Sequence, residues 1–499
     1  MRMFFYALAL LIPIMGQAAE RVALVIGNAD YPAVGTLKNT VNDANRISNT
    51  LNGIGFEVTQ LTNASLREMR QALEDFSFRS ETADLALVYF AGHGVEVQGE
   101  NFLIATDAKV SSNRDIQRQS VSLKEVLNAV ESARKMRIVI MDSCRNNPFG
   151  DAIDQAKVAE VTTTIAGTTA ATTRGAGGGL AVPDPDRGTL VAFAAKDGSV
   201  ALDGAGDNSP FAIALAEKLA QPGLEISLMF RQVRDQVLKI TYNQQEPHTY
   251  GSLSGIPFYL AGPADGQSLA DDLDRRVAWS DIRPEQELQL AKLAEGGDTR
   301  SMLGLAYMRL NPKEERFDPS QAVGLLTRAA QVGSPEAQFE LAKLYEKGLG
   351  VQQDEARALE LYRASADQNF PDALNDLGFM FYQGGLGLGR DSDQALKYFE
   401  RAADQKHPQA MFNFAALIDD GLIKGKGPEE AAGYLYQALR SGSSDVYKIL
   451  SDRPNMFKSA TRKALQRRLQ KFEFYAGTID GDFGPSTQRG IRQAYGLKN

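Results

Sequence analysis

Small residues return at a fixed interval through the second half of this 499-residue chain, and that recurrence restricts its fold more than any other feature. Ser301, Ala337, Ala373 and Ala410 are separated by 36, 36 and 37 positions; Ala322, Ala358, Ala395 and Ala432 by 36, 37 and 37. A period of that size is one supersecondary unit per repeat. A small side chain at one fixed place on each of two helices lets the helices pack closely. Repeats of this kind stack into an all-α solenoid, each burying its apolar face on its neighbours. The array is predicted over 297–445.

The first half obeys a different rule. Val22–Ile26, Phe56–Leu61, Ala83–Ala91, Met136–Met141, Leu190–Ala195 and Pro257–Leu260 are short apolar runs that read as strands. Segments with helical spacing, such as Val41–Leu51, lie between them. Strands interleaved with helices predict an α/β domain over 20–262 with a mainly parallel sheet. Between residues 162 and 179 the pattern gives way to Thr, Ala and Gly, a low-complexity stretch. Residues 263–296 read as a charged linker holding Trp279, the single tryptophan.

Residues 1–19 stand apart. Arg2 precedes an apolar run from Phe4 to Met15, followed by Gly16-Gln17-Ala18-Ala19. This is the layout of a secretory signal peptide, which predicts a periplasmic or secreted protein. The run is short for a membrane span, so no stable span is expected in the mature chain. A formal net charge of −8 argues against a general nucleic-acid binder. Residues 458–499 are the exception in charge, with nine Lys or Arg against three Asp or Glu.

Cys144 is the only cysteine. Exported chains ordinarily carry cysteines in disulfide pairs, so a lone thiol is either a reactive group or a small buried apolar residue. It lies in Asp142-Ser-Cys144, after one apolar run, and His93 lies in Gly92-His-Gly94, after another. Both runs are expected to break into turns at these motifs. In an open α/β sheet, loops leaving the carboxyl ends of neighbouring strands converge on one crevice. A thiol and an imidazole meeting there suffice for nucleophilic acyl transfer. Of the other histidines, His248 is read as structural, with substrate contact as the lesser alternative, and His407 as a repeat-loop residue; three scattered histidines with one cysteine supply no zinc motif.

Three resemblances follow from these motifs. Residues 20–262 resemble the caspase-like superfamily, closest to bacterial relatives of metacaspases, through Gly92-His-Gly94, Asp142-Ser-Cys144 and Asn208-Ser-Pro-Phe211. Pro335–Gly348 and Pro371–Gly384 resemble Sel-like repeats, relatives of the tetratricopeptide class that generally serve as protein-binding scaffolds. Asp480-Gly-Asp-Phe-Gly484 resembles the turn of a small three-helix peptidoglycan-binding-like module, here 458–499. The expected architecture is thus an α/β caspase-like domain, an all-α solenoid and a small α-helical C-terminal module.

The caspase-like resemblance implies a peptide or protein substrate. It implies His93 as general base and acid, Cys144 as nucleophile, and an oxyanion hole from the amides of Gly94 and Cys144. It places Asp43 and Asp142 in the specificity pocket, where buried carboxylates favour cleavage after Arg or Lys. A basic preference makes Lys157, Arg174 and Arg187 candidates for autoprocessing. No cofactor is required from the residues; the resemblance admits calcium, although no compact carboxylate cluster with ligand spacing is visible. Ala91 and Arg145 depart from the metacaspase pattern, which often has serine and histidine there. The repeats imply a protein partner and the tail a peptidoglycan ligand. The competing reading is a non-proteolytic envelope scaffold or peptide-binding protein with a caspase-like fold.

Overall fold

A computed structural model describes residues 21–33, 35–144, 188–196, 201–204, 206–251, 253, 256–262, 279, 282 and 284–497; the Cys144 side chain lies outside the described atoms. The predicted signal segment, the low-complexity stretch and Lys157, Arg174 and Arg187 all fall outside these residues.

The N-terminal unit is built on a sheet of order β2-β1-β3-β6-β7-β8. Its strands are β1 (Arg21–Gly27), β2 (Glu57–Thr62), β3 (Leu85–Val97), β6 (Met136–Cys144), β7 (Thr189–Phe193) and β8 (His248–Gly251). The first five are mutually parallel and β8 pairs antiparallel to β7. A short antiparallel extension, β4 (Glu100–Ile104) and β5 (Ser120–Ser122), continues from the end of β3.

Period-two alternation sends the strands' apolar residues to two cores. Leu87, Tyr89, Ile138 and Ile140 meet α1 (Thr40–Gly53), α5 (Pro210–Leu219) and α6 (Ile226–Ile240) through Ile47, Leu51, Phe211, Leu215 and Val233. Val88, Phe90, Val139 and Met141 meet α2 (Leu66–Ser80) and α4 (Leu123–Val130) through Met69, Phe76, Val126 and Val130. Helix α3 (Asn113–Gln119) packs near the β4–β5 extension.

Two elements differ from the sequence reading. Pro257–Leu260 is not a strand: Pro257 has no N–H to give a ladder, and Tyr259 makes only an isolated bridge to Glu225. The last strand is β8, whose sequence, His-Thr-Tyr-Gly, is short and half polar because it lies at a sheet edge.

The helical array begins inside the predicted linker, with α7 (Pro284–Glu295). Trp279 is fully buried just before it, against Gly304, where a Cβ would lie 2.5–2.8 Å from the indole. Helices α8 (Thr299–Arg309), α9 (Pro319–Gln331), α10 (Pro335–Lys347), α11 (Glu355–Asp367), α12 (Pro371–Gln383), α13 (Ser392–Asp404), α14 (Pro408–Asp420) and α15 (Pro428–Arg440) then pack in sequence. All eight recurring small residues are buried at 2% exposure or less, which is why the interval is held. Helix α16 (Ser444–Asp452) leads to a module formed by α17 (Ser459–Lys471) and α18 (Pro485–Tyr495). In that module the buried Gln466 amide donates to Asp480 and the Asp482 carbonyl and accepts the Gly481 N–H, which folds the Asp-Gly-Asp-Phe-Gly turn around it. No helix among the described residues is long and apolar enough to cross a membrane.

Candidate active site

The sequence motifs around His93 and Cys144 are not turns. Strand β3 pairs with β6 as far as His93 opposite Cys144, and one residue later pairs with β4 through Gly94 opposite Leu103. The change of partner, from a parallel to an antiparallel neighbour, falls at the Gly92-His93-Gly94 motif. Register partners on neighbouring strands stand about 4.8 Å apart, so the two candidate catalytic residues are adjacent at the end of the parallel ladder. The flanking glycines are required by what lies over them. A Cβ on Gly92 would come within 2.6 Å of the Tyr31 hydroxyl, and one on Gly94 within 2.6 Å of Ser143 Oγ.

His93 is 8% exposed. Its backbone N–H donates to the Tyr31 hydroxyl at 3.0 Å, and that hydroxyl donates to the Ile104 carbonyl at 3.2 Å. The Tyr31 ring also packs on the imidazole, with centroids 4.6 Å apart. Neither imidazole nitrogen has a hydrogen-bond partner among the described residues. Burial lowers the His93 pKa to about 4, so at neutral pH the ring is uncharged and one nitrogen can accept a proton.

A second group of side chains forms beside this pair. Asp43 stands in the first turn of α1, and Asp142 lies on β6 opposite Ala91. Both are buried, and Ser209 joins them. Its N–H donates to Asp43 Oδ1 at 2.9 Å, and its hydroxyl donates to Asp142 Oδ2 at 3.0 Å. The same hydroxyl accepts the Ala212 N–H at 3.0 Å, capping α5. Asn208 donates to Asp43 at 2.9 Å and the Tyr89 hydroxyl to Asp142 at 2.8 Å. Among the described residues neither carboxylate has a Lys or Arg ion-pair partner. Burial pushes Asp43 up to about 6. Burial, with the neighbouring Asp43 charge second, pushes Asp142 up to about 7. A cationic side chain entering here would meet two buried acids that no Lys or Arg among the described residues pairs with.

Tyr31 and Tyr89 were not singled out from sequence, and Ser209 entered only within the Asn208-Ser-Pro-Phe211 motif, with no site role. The first follows the end of β1, where side chains in this kind of sheet collect; the second is hidden within an apolar run. The remaining histidines sit elsewhere. His407 caps α14, its Nδ1 accepting the Ala410 N–H at 3.2 Å, and His248 packs on Tyr250 in β8. Among the described residues no group of three His, Cys, Asp or Glu side chains is placed to hold a metal ion.

Comparison with known families agrees with this geometry. Residues 20–255 match the family described as caspase domain. The N-terminal unit is a caspase domain. Residues 299–334, 335–370 and 371–407 match the Sel1 repeat, and 458–494 the putative peptidoglycan binding domain, so the three follow in that order. Over 150 residues the chain is 30% identical to the human mucosa-associated lymphoid tissue lymphoma translocation protein 1, covering 30% of this chain and 18% of that protein. It is 24% identical over 143 residues to Caspase-1-B of Xenopus laevis, covering 27% of this chain and 36% of that one. The chain therefore spans less than two fifths of the length of either relative. Among solved structures, a Sel1 repeat protein from Oxalobacter formigenes is similar at 26% identity and a TM-score of 0.31, over 40% of this chain and 57% of the other.

Part of the tail's positive charge is engaged within the chain. The Lys458 ammonium donates to the Asp419 carbonyl, Arg467 pairs with Glu429, and Arg468 and Lys471 lie over the rings of Tyr436 and Phe472. The module is packed on the end of the solenoid.

Proposed function

We propose that the chain is an exported cysteine endopeptidase that cleaves after Arg or Lys, positioned at the cell wall by its tail and presented with partners by its repeats. The observation that carries this reading is the register pairing of His93 with Cys144, beside an uncharged imidazole with no partner among the described residues. His93 takes the thiol proton as sulfur attacks the scissile carbonyl carbon. The N–H groups of Gly94 and Cys144 receive the developing oxyanion, donors worth roughly 2.7–4 kcal/mol each in other enzymes. The C–N bond then breaks, and the leaving amine takes the proton from His93. Water, deprotonated by the same imidazole, hydrolyses the thioester and restores the thiol.

Asp43 and Asp142 receive the cationic side chain before the scissile bond. Export rests on the layout of residues 1–19, and the wall location on the tail's family. Lys157, Arg174 and Arg187 are the sites where such an enzyme would cut itself.

The test is turnover of matched fluorogenic peptides ending in Arg, Lys or Asp by protein lacking residues 1–19, with and without calcium. Turnover confined to the Arg and Lys peptides, and lost in both Cys144→Ala and His93→Ala, is the expected result. Equal turnover of the Asp peptide would remove the assigned specificity. No turnover in any condition by folded protein would favour the scaffold reading.

A further inference from the structure

A cleft of about 910 Å³ separates the caspase domain from the solenoid. One wall is β8 with the preceding Glu246 and Pro247, backed by α6. The other is made by successive repeat ends: Thr299 and Leu303, then Ser334 and Pro335, then Gln368 to Pro371, then Gln405. Those groups recur at about the repeat interval, so the cleft is a trough running across the solenoid rather than a cup. Packed helices lie 8–10 Å apart, so three such steps span at least roughly 25 Å. That is the length of about eight residues of extended chain.

Its electrostatics and its position narrow the occupant. Most charged groups in its walls pair with one another or just behind them: Arg231 with Asp298, Arg234 with Glu246, Arg300 with Glu225; Glu336 accepts from the Tyr307 hydroxyl. Between these groups the walls present mainly neutral surface, including Gln368, Asn369, Gln405 and Thr249 with apolar surface from Leu303, Phe230 and Phe370. Side-chain amides both donate and accept, as a peptide main chain requires. The trough also lies near the candidate catalytic pair. Met141 is opposite Phe193, and Phe193 opposite His248, so the upper end of β8 stands two strands away from β6 and three residues below Cys144. At usual sheet spacings that is roughly 14 Å, or about four extended residues.

We propose that this trough binds the polypeptide substrate of the caspase domain through its main chain, at residues remote from the scissile bond. It selects extended or unfolded segments with little regard to their sequence, while the Asp43–Asp142 pocket reads one side chain. The proposal rests on the peptidase reading.

The experiment compares full-length protein with a Thr249→Trp/Gln405→Trp double variant. Both positions are exposed, on opposite walls, so bulk there narrows the trough without entering the core. Cleavage of unfolded casein is expected to fall about tenfold in kcat/KM, with an Arg-ended tripeptide substrate unaffected. Equal rates on casein, or a parallel fall on both substrates, would overturn the proposal. If the parent protein cleaves neither substrate, the peptidase reading fails by itself. The trough is then read by fluorescence anisotropy of labelled unfolded casein on Cys144→Ala: binding that the two tryptophans weaken supports it, and no binding or unchanged binding overturns it.

Discussion

At the scale of single residues, the candidate site depends on what holds His93. Tyr31 grips its backbone N–H through the hydroxyl and its imidazole through the ring. Tyr31→Phe keeps the ring and removes the acceptor, leaving a buried N–H unpaired at a cost of about 1–3 kcal/mol. A lower melting temperature and a lower kcat at little-changed KM are expected. A fall in stability with kcat intact would show that Tyr31 only packs. The acid pair gives a prediction in pH. With Asp43 and Asp142 raised to about 6 and 7, the fold holds protons that the unfolded chain loses near 4. The pair therefore opposes folding increasingly as pH rises through that window. His93, lowered to about 4, acts in the opposite sense: its contribution is complete above about 6.5 and is lost as pH falls toward 4. A bound guanidinium favours the ionised pair. Affinity for an Arg-ended aldehyde should therefore rise about tenfold from pH 5 to 8, relative to a citrulline-ended control. Calorimetric titration measures it, and parallel pH curves for the two would dismiss the pocket assignment.

At the scale of elements, the central fact is a strand that changes partners. Gly92 and Gly94 permit it because Tyr31 and Ser143 occupy the space a Cβ would need. Gly92→Ala should cost about 1–3 kcal/mol through overpacking and remove turnover, as followed by thermal unfolding and peptide assay. Full activity in that variant would mean the close approach is unnecessary. The sheet's parallel core and the repeat interval were legible because burial on both faces and stacking of repeats leave apolar runs and fixed spacings in the sequence. The partner change was not: glycine reads locally as a turn, while the antiparallel pairing that extends β3 depends on residues 100–104, whose pairing no local pattern announces. Strand β8 was hidden for the complementary reason, since an edge strand needs no apolar run. Asp43 and Asp142 were named from a family resemblance. Ser209, which joins them from 67 residues beyond Asp142, stood inside the Asn208-Ser-Pro-Phe211 motif but was given no site role, because a serine before proline reads simply as a helix cap.

At the scale of the whole molecule, the chain returns to where the strands that carry His93 and Cys144 begin. Arg440, at the end of α15, is 5% exposed and donates to the Ala494 carbonyl at 2.8 Å and to the Ala83 carbonyl at 3.4 Å. Arg134 bridges the Asp84 carboxylate to the Tyr495 carbonyl, and Phe78 meets Phe472. Ala83 and Asp84 immediately precede β3, and Arg134 precedes β6. The C-terminal module is thus docked at the roots of the two strands whose far ends carry His93 and Cys144. Burial lowers the Arg440 pKa only to about 10, so it stays charged at neutral pH and its carbonyl partners matter. Arg440→Met retains most of the apolar volume and removes the donor to the Ala494 carbonyl, while the Ala83 carbonyl keeps the Arg134 N–H at 3.1 Å, a loss of roughly 1–3 kcal/mol. If this docking couples the module to the caspase domain, amide exchange should quicken in 459–495 and in 83–86 together. Faster exchange confined to the module would show that the tail rests on the caspase domain without supporting it.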